Sequence, residues 1–154
     1  MERKLIASNK KARRDYYILE TLEAGIELAG SEVKSLRDSK ANLNDSFAHI
    51  ESNQVLLYNL HISPYEQASY MNLEPTRVRR LLLHRSQIRK LLEKISQRGF
   101  TLIPLQIYFN ERGFAKVEIA LAKGKKLYDR REDIKRREDD LKIKKMLKHK
   151  RLHG

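Results

Sequence analysis

The chain has 154 residues, 40% of them hydrophobic and 34% charged, which is enough for one domain with one core. It contains no cysteine, which excludes disulfide bonds and thiolate chemistry, and its formal net charge is +13. A positive surplus of this size attracts polyanions, so nucleic acid is the expected partner and an anionic membrane is the main alternative.

The N-terminal residues 1–14 are polar and basic, with Leu5 and Ile6 as their apolar pair. They predict a flexible basic arm whose end docks on the body of the protein. This stretch lacks the apolar run of a signal peptide, and the apolar stretches elsewhere are too short to span a bilayer. We therefore expect a cytoplasmic protein with no membrane association.

The segment 16–28 is compatible with either a helix or a strand. Its apolar side chains recur at helical spacing, but its β-branched and aromatic residues suit a strand, and Gly25 disfavours a helix interior. Periodicity alone does not decide between them. After it, the Gly30-Ser31 pair predicts the start of a short helix with Ser31 as its N-cap.

Four strands and one helix are clear from their periodicity. In chain order they are strands at 47–51 and 55–60, a helix at 86–98, and strands at 103–109 and 115–121. Ser86 is expected to cap the helix, and Gly99 is expected to follow it in the left-handed conformation. The pattern predicts a mainly β (α+β) fold, a small antiparallel OB-like β-barrel with two to three flanking helices.

The last 32 residues carry 14 Lys and Arg side chains against 6 Asp and Glu. We therefore divide the chain into a barrel domain at 1–122 and a basic tail at 123–154. The tail holds too few apolar residues to offset the entropy of ordering them. It is expected to be disordered when free and to become helical on a partner.

The search for catalytic groups finds little. The five histidines are scattered, and no pair has the spacing of a helical zinc motif. Gly124-Lys125-Lys126 lacks the earlier glycine and the following Ser or Thr of a phosphate loop, and Glu23 has no neighbouring acid or nucleophile. We predict no catalytic residue, no metal and no cofactor.

Basic residues give the stronger signal. Arg77, Arg79, Arg80 and Arg85 flank an apolar run at 81–83, where guanidinium groups suit phosphate contacts and stacking on unpaired bases. They would equally suit a solvated edge that protects a strand from aggregation. The cations of the arm and the tail favour RNA binding, and so does an aromatic ring, Tyr128, within a basic run.

Several motifs, in order and spacing, resemble the SmpB (small protein B) family over almost the whole chain. They are residues 9–16 (NKKARRDY), 23–26 (EAGI), 30–37 (GSEVKSLR), 61–65 (HISPY), 75–84 (PTRVRRLLLH), 99–105 (GFTLIPL) and 124–131 (GKKLYDRR). The departures, at Arg14, Arg80 and Arg130, keep or add positive charge.

This resemblance implies an OB-like barrel in which 16–28 is a strand. It also implies a monomer that binds the tRNA-like domain of tmRNA and, with EF-Tu and GTP, brings alanyl-tmRNA to stalled ribosomes. There the tail would enter the vacant mRNA path near the decoding centre and contact small-subunit RNA, and trans-translation would tag the incomplete peptide.

The family motifs also assign roles to residues. The implied tmRNA surface contains Asn9, Glu23 and Leu82, and the cations expected to support it are Lys11, Arg13, Lys34, Arg77, Arg79 and Arg80. The implied decoding-centre segment is Gly124, Lys125, Lys126, Tyr128, Asp129, Arg130 and Arg131, and Met146 and Leu147 would help to seat the tail helix. A general RNA chaperone or ribosomal protein and an RNA-processing enzyme are the alternatives.

Overall fold

The computed structural model describes residues 3–65, 73–96, 99–125, 135–138 and 141–145. The elements are β1 (Lys4–Ser8), α1 (Ala12–Asp15), β2 (Tyr16–Ile26), α2 (Gly30–Arg37), β3 (Ala41–Asn42), β4 (Phe47–Glu51), β5 (Gln54–Tyr58), β6 (His61–Ile62), β7 (Arg79–Leu82), α3 (Arg85–Ile95), β8 (Phe100–Phe109) and β9 (Ala115–Gly124). Residues 135–138 and 141–145 are helical and exposed.

Six antiparallel strands close into a ring, in the order β8–β4–β5–β7–β2–β9 and back to β8. Closure is possible because β8 has ten residues, and its edge opposite β9 is shared between β4 at Leu102 and β1 at residues 106–109. Closing the sheet removes the exposed edges that an open sheet would leave. The prediction of a small antiparallel barrel with flanking helices is confirmed.

The barrel interior is filled by the alternate residues that face inward from each strand. Val55, Leu57, Ile107, Val117 and Ile119 are all fully buried. The predicted hairpin strands are present. Strand β8 begins earlier than the alternation indicated, at Phe100, and β9 ends later, at Gly124. Asn110 and Gly113, which has a φ of +83°, close the β8–β9 turn.

The ambiguous segment is a strand, as the resemblance implied. Residues 16–26 form β2, which pairs with β9 from Tyr16 to Gly25 and with β7 at Gly25 and Ile26. A register shift between Ile18 and Glu20 interrupts the strict alternation of its side chains. This bulge explains why periodicity alone did not distinguish a strand from a helix.

The predicted flexible arm is not supported by the structure. Residues 4–8 form β1 and bury Ile6, and residues 12–15 form α1. Ala12 packs on a small apolar cluster on the outside of β8 and β9, which contains Ile103, Leu105, Ala120 and Ala122. This non-local contact helps to offset the entropy lost when residues 4–15 become ordered.

Both long helices begin before the serine expected to cap them. Helix α2 has Ala29 as its N-cap, and the Glu32 carboxylate accepts a hydrogen bond from the Ala29 N–H at 2.9 Å. Helix α3 has His84 as its N-cap, and Gln87 accepts from the His84 N–H at 3.0 Å. The acceptor at the third helical position therefore determines each start. Helix α3 ends at Ile95, and Gly99 has a φ of +86°.

The body of the protein extends slightly past the boundary placed after residue 122. Strand β9 continues to Gly124, and the Lys125 N–H donates to the Asp15 carbonyl at 2.9 Å. The Lys125 Nζ also donates to the Arg13 carbonyl at 3.1 Å. Residues 123–125 therefore belong to the barrel. Among the residues that the structure describes, no helix has the length and apolar character needed to cross a membrane.

Candidate RNA-binding surface

Strands β1, β8, β9 and β2 bring residues from distant parts of the sequence into two adjacent rows. Residues paired across antiparallel strands project from the same face of the sheet. The first row is Ser8, Gln106, Glu118 and Glu23, and the second row is Leu5, Tyr108, Lys116, Gly25 and, on β7, Leu82. We call these two rows the outer face.

Glu23 lies on the first row and is exposed, but its carboxylate accepts a hydrogen bond from a buried side chain. The Tyr108 hydroxyl reaches across β9 and donates to Glu23 Oε2. The Arg3 guanidinium covers the Tyr108 ring, with its carbon 3.6 Å from the ring centre. Burial, the bond to Glu23 and the negative charge of Glu23 raise the pKa of Tyr108 to about 12, so the phenol stays protonated as a donor.

Leu82 ends the second row and is 48% exposed, as alternation with the buried Leu81 requires. Gly25 lies opposite it, and a Cβ at Gly25 would lie only 3.2 Å from the Leu82 Cβ. The absence of a side chain at Gly25 therefore leaves the flank of Leu82 open. The cleft beside it has a volume of about 430 Å³ and is lined by Glu23, Gly25, Leu82, Leu83, His84, Gln87 and Lys116.

Asn9 follows Ser8 at the end of β1 and precedes helix α1. Its backbone N–H donates to the Leu105 carbonyl at 2.7 Å, and its Nδ2 donates to the Pro104 carbonyl at 3.1 Å. These bonds fix the side chain on β8. Glu23 and Leu82 border one cleft of the outer face, whereas Asn9 borders a separate cleft beside α1 together with Lys11.

The cations assigned to the surface fall into separate groups. Lys11 and Arg13 are exposed at α1, next to Asn9. Arg80 is exposed on β7, two residues before Leu82 and on the same side of the strand. Lys34 is exposed on α2, with its Nζ 5.6 Å from the centre of the Tyr65 ring.

Arg79 does not belong to this surface, contrary to the sequence prediction. Its side chain is fully buried, and its Nε donates to Glu32 Oε2 at 2.7 Å. Its terminal nitrogens donate to the Leu60 carbonyl at 2.6 Å and the Pro75 carbonyl at 2.9 Å. A guanidinium bound in this way cannot reach a phosphate. Arg77 is partly exposed and also donates to Glu32, so part of its hydrogen-bonding capacity is used within the fold.

The tail residues are described only where the tail leaves the barrel. Gly124 is exposed at the end of β9, and the Lys125 Nζ lies 4.9 Å from the centre of the Tyr17 ring. The other predicted tail residues lie outside the described part of the chain, and they are Lys126, Tyr128, Asp129, Arg130, Arg131, Met146 and Leu147.

Sequence reasoning did not identify several members of the outer face. Gln106 and Tyr108 on β8, Lys116 and Glu118 on β9, and Arg3 before β1 all contribute to it. The alternation in β8 and β9 does mark the first four as the face turned away from the core. It does not reveal that Tyr108 contacts Glu23, because 85 residues separate them in the sequence.

The described residues contain no group of three or more His, Asp or Glu side chains arranged to hold a metal ion. The carboxylates of Glu23 and Glu118 on the outer face instead accept hydrogen bonds from neutral side chains. Glu118 accepts from Gln106 Nε2 at 3.1 Å, and Glu23 accepts from Tyr108. This arrangement presents hydrogen-bond acceptors and an apolar side chain to a ligand, which suits binding.

The whole chain is similar to proteins of one family. The chain matches the family model described as SmpB protein over residues 6–149. An SsrA-binding protein from Caldanaerobacter subterraneus subsp. tengcongensis is 56% identical over 98% of this chain and 95% of its own length. An SsrA-binding protein from Thermosipho melanesiensis is 59% identical over 94% of this chain and 99% of its own length. A solved structure described as "tmRNA-SmpB: a journey to the center of the bacterial ribosome" is 56% identical, with a TM-score of 0.66, and covers 79% of this chain and 85% of that one.

Proposed function

This chain belongs to the SmpB protein family, and from that premise we propose that it binds tmRNA and acts in trans-translation. Its relatives are named for binding SsrA, and the similar solved chain is described together with tmRNA and the bacterial ribosome. In this proposal the protein acts as an RNA-binding adaptor and not as an enzyme.

The observation that carries the proposal is the outer face, where Glu23 and Leu82 border one cleft while Asn9 is fixed on β8 beside α1. Glu23 is a poor partner for a phosphate because both are negative, but it suits a base edge or a ribose 2′-OH, each of which can donate. Leu82 offers an apolar surface to a base or sugar. Lys11, Arg13 and Arg80 flank the face and suit the phosphate backbone. The combination favours a folded RNA with defined donors over RNA in general.

We further propose that the barrel binds the tRNA-like domain and that the tail acts separately. The tail begins after Lys125, has a net excess of basic residues over acidic ones, and contains Tyr128 within a basic run. Such a segment suits the vacant mRNA path near the decoding centre, where it would contact small-subunit RNA. EF-Tu with GTP would join through the aminoacylated tmRNA, and the protein would act as a monomer.

The test is binding to tmRNA and to a matched elongator tRNA across a salt series, for the wild type and for Glu23→Ala. Specific recognition predicts a preference for tmRNA that persists at about 0.2 M salt and decreases in the variant. Equal and steeply salt-dependent binding to both RNAs, unaffected by Glu23→Ala, would instead indicate a general RNA chaperone or ribosomal protein.

A further inference from the structure

The hydrogen bond between Tyr108 and Glu23 spans three strands of the barrel. Tyr108 is on β8 and Glu23 is on β2, with β9 between them. The phenol itself is almost entirely buried, whereas the carboxylate that it contacts is exposed. A buried donor therefore holds an exposed acceptor in one orientation.

A second contact fixes the Tyr108 ring from the other side. The Arg3 guanidinium stacks over the ring at 3.6 Å, and Leu5 pairs with Tyr108 across β1 and β8. A cation over an aromatic face is attracted to the negative face of the ring. The three side chains thus form a chain of contacts from Arg3 through Tyr108 to Glu23.

These side chains also line one cleft on the protein surface. The cleft has a volume of about 280 Å³ and is lined by Arg3, Glu23, Tyr108, Asn110, Glu111 and Arg112. The Arg112 guanidinium at its border suits phosphate oxygens, and the carboxylates of Glu23 and Glu111 suit donor groups. The cleft therefore offers one nucleotide both kinds of contact.

We propose that Tyr108, held in place by Arg3, is a positioning residue that orients Glu23 for a nucleotide donor group of tmRNA, a base N–H or a ribose 2′-OH. Tyr108 occupies Oε2 of the carboxylate and directs Oε1 toward the RNA. Orientation matters because a free glutamate side chain would lose rotational entropy on binding, and the bond to Tyr108 removes part of that loss beforehand. This inference rests on the proposed function of the outer face.

A double-mutant cycle with Tyr108→Phe, Glu23→Ala and the combined variant tests it. Tyr108→Phe removes only the hydroxyl and keeps the ring, so the fold should be retained, as thermal melting by circular dichroism would verify. In the wild-type background it should weaken tmRNA binding by up to about tenfold, because the freed Glu23 side chain must then be ordered on binding. In the Glu23→Ala background the same change should cost less than about twofold, because Tyr108 acts through Glu23.

Tyr58→Phe is the matched control. The Tyr58 hydroxyl donates to Glu51 at 2.9 Å on the β4–β5 hairpin, so this variant also removes a tyrosine–glutamate bond, but away from the outer face. Its tmRNA affinity should equal that of the wild type. Arg3→Ala should weaken binding through Tyr108, and this loss should also disappear in the Glu23→Ala background.

The outcomes separate this inference from the function on which it rests. A tmRNA preference in the wild type, together with an equal loss from Tyr108→Phe in both backgrounds or no loss in either, would overturn the positioning role alone. Equal binding of the wild type to tmRNA and elongator tRNA would overturn both. A loss from Tyr108→Phe that is seen in the wild-type background and not in the Glu23→Ala background supports both the positioning role and the proposed function.

Discussion

Arg79 and Glu32 form a buried ion pair that joins β7 to α2 across 47 residues of sequence. Arg77 donates to the same carboxylate, and Arg79 also holds the carbonyl groups of Leu60 and Pro75. The cluster therefore connects α2, the end of the β5 region and the segment that leads into β7. Because β7 carries Arg80 and Leu82, this cluster supports the outer face from the inside of the fold.

Removing the carboxylate should destabilise the protein strongly. Glu32→Ala leaves Arg79 buried without its counter-ion, and the expected loss in the free energy of unfolding is about 3–5 kcal/mol. The matched control is Glu20→Ala, since Glu20 pairs with Lys94 while both side chains are more than 40% exposed. That variant should lose under about 1 kcal/mol. Urea denaturation of both variants tests the difference, and similar losses would contradict it.

The same carboxylate predicts how stability depends on pH. Burial raises the pKa of Glu32, but hydrogen bonds from Arg77, the Ala29 N–H and Arg79 outweigh burial and hold the pKa below its usual 4.5. The folded state therefore binds this proton less readily than the unfolded state. The stabilisation is complete above pH 4.5 and is lost as the pH falls through the lower, folded value.

Wild-type protein should consequently lose stability more steeply than Glu32→Gln between about pH 5 and pH 3. Glutamine is neutral throughout this range, so the variant lacks this particular proton linkage. Denaturation curves collected at several pH values give the two slopes. Parallel slopes would mean that Glu32 titrates alike in the folded and unfolded states.

Much of the fold could be predicted from short-range patterns. The strands of the two hairpins follow from alternation, and Gly113 from the need for a positive φ in the β8–β9 turn. The starts of α2 and α3 could not be placed correctly from serine alone, because Glu32 and Gln87 accept the first hydrogen bonds. A helix start depends on several residues, and the most familiar capping residue is not always the one used.

The candidate surface could be predicted only in part, because its geometry is non-local. Alternation along β7 places Arg79 on the same side as the buried Leu81, and Arg80 on the same side as the exposed Leu82. That pattern was available in the sequence, but the charge of Arg79 suggested an exposed position. Only the structure reveals the partner, Glu32, that makes burial of this charge tolerable.

Gly25→Ala should weaken RNA binding more than it affects the fold. A Cβ at this position would lie 3.2 Å from the Leu82 Cβ, so β7 and the Leu82 side chain must shift. We expect a roughly fivefold loss of tmRNA affinity, equivalent to about 1 kcal/mol. Gly30→Ala is the control, since a Cβ there meets no atom within 4 Å, and its affinity should be unchanged. Equal affinities for the two variants would exclude a role for the Gly25–Leu82 contact.

Truncation after Lys125 and truncation after Ala122 should differ in their effect on the stability of the protein. A chain that ends at Lys125 keeps the pairing of β9 with β2 and the bonds from Lys125 to the Asp15 and Arg13 carbonyls. It should therefore melt like the full-length protein and retain its preference for tmRNA at about 0.2 M salt, where loss of the tail charge matters least.

The same chain should fail to support peptide tagging on ribosomes stalled on a message without a stop codon, because the proposed contact with the mRNA path is gone. A chain that ends at Ala122 also loses the pairs of Lys123 with Tyr17 and Phe100, and of Gly124 with Tyr16. It should be less stable by about 1–3 kcal/mol, since several backbone hydrogen bonds are lost together. If the chain that ends at Lys125 lost tmRNA binding and tagging equally, the tail would be part of the tmRNA-binding surface, and the proposed division between barrel and tail would be wrong.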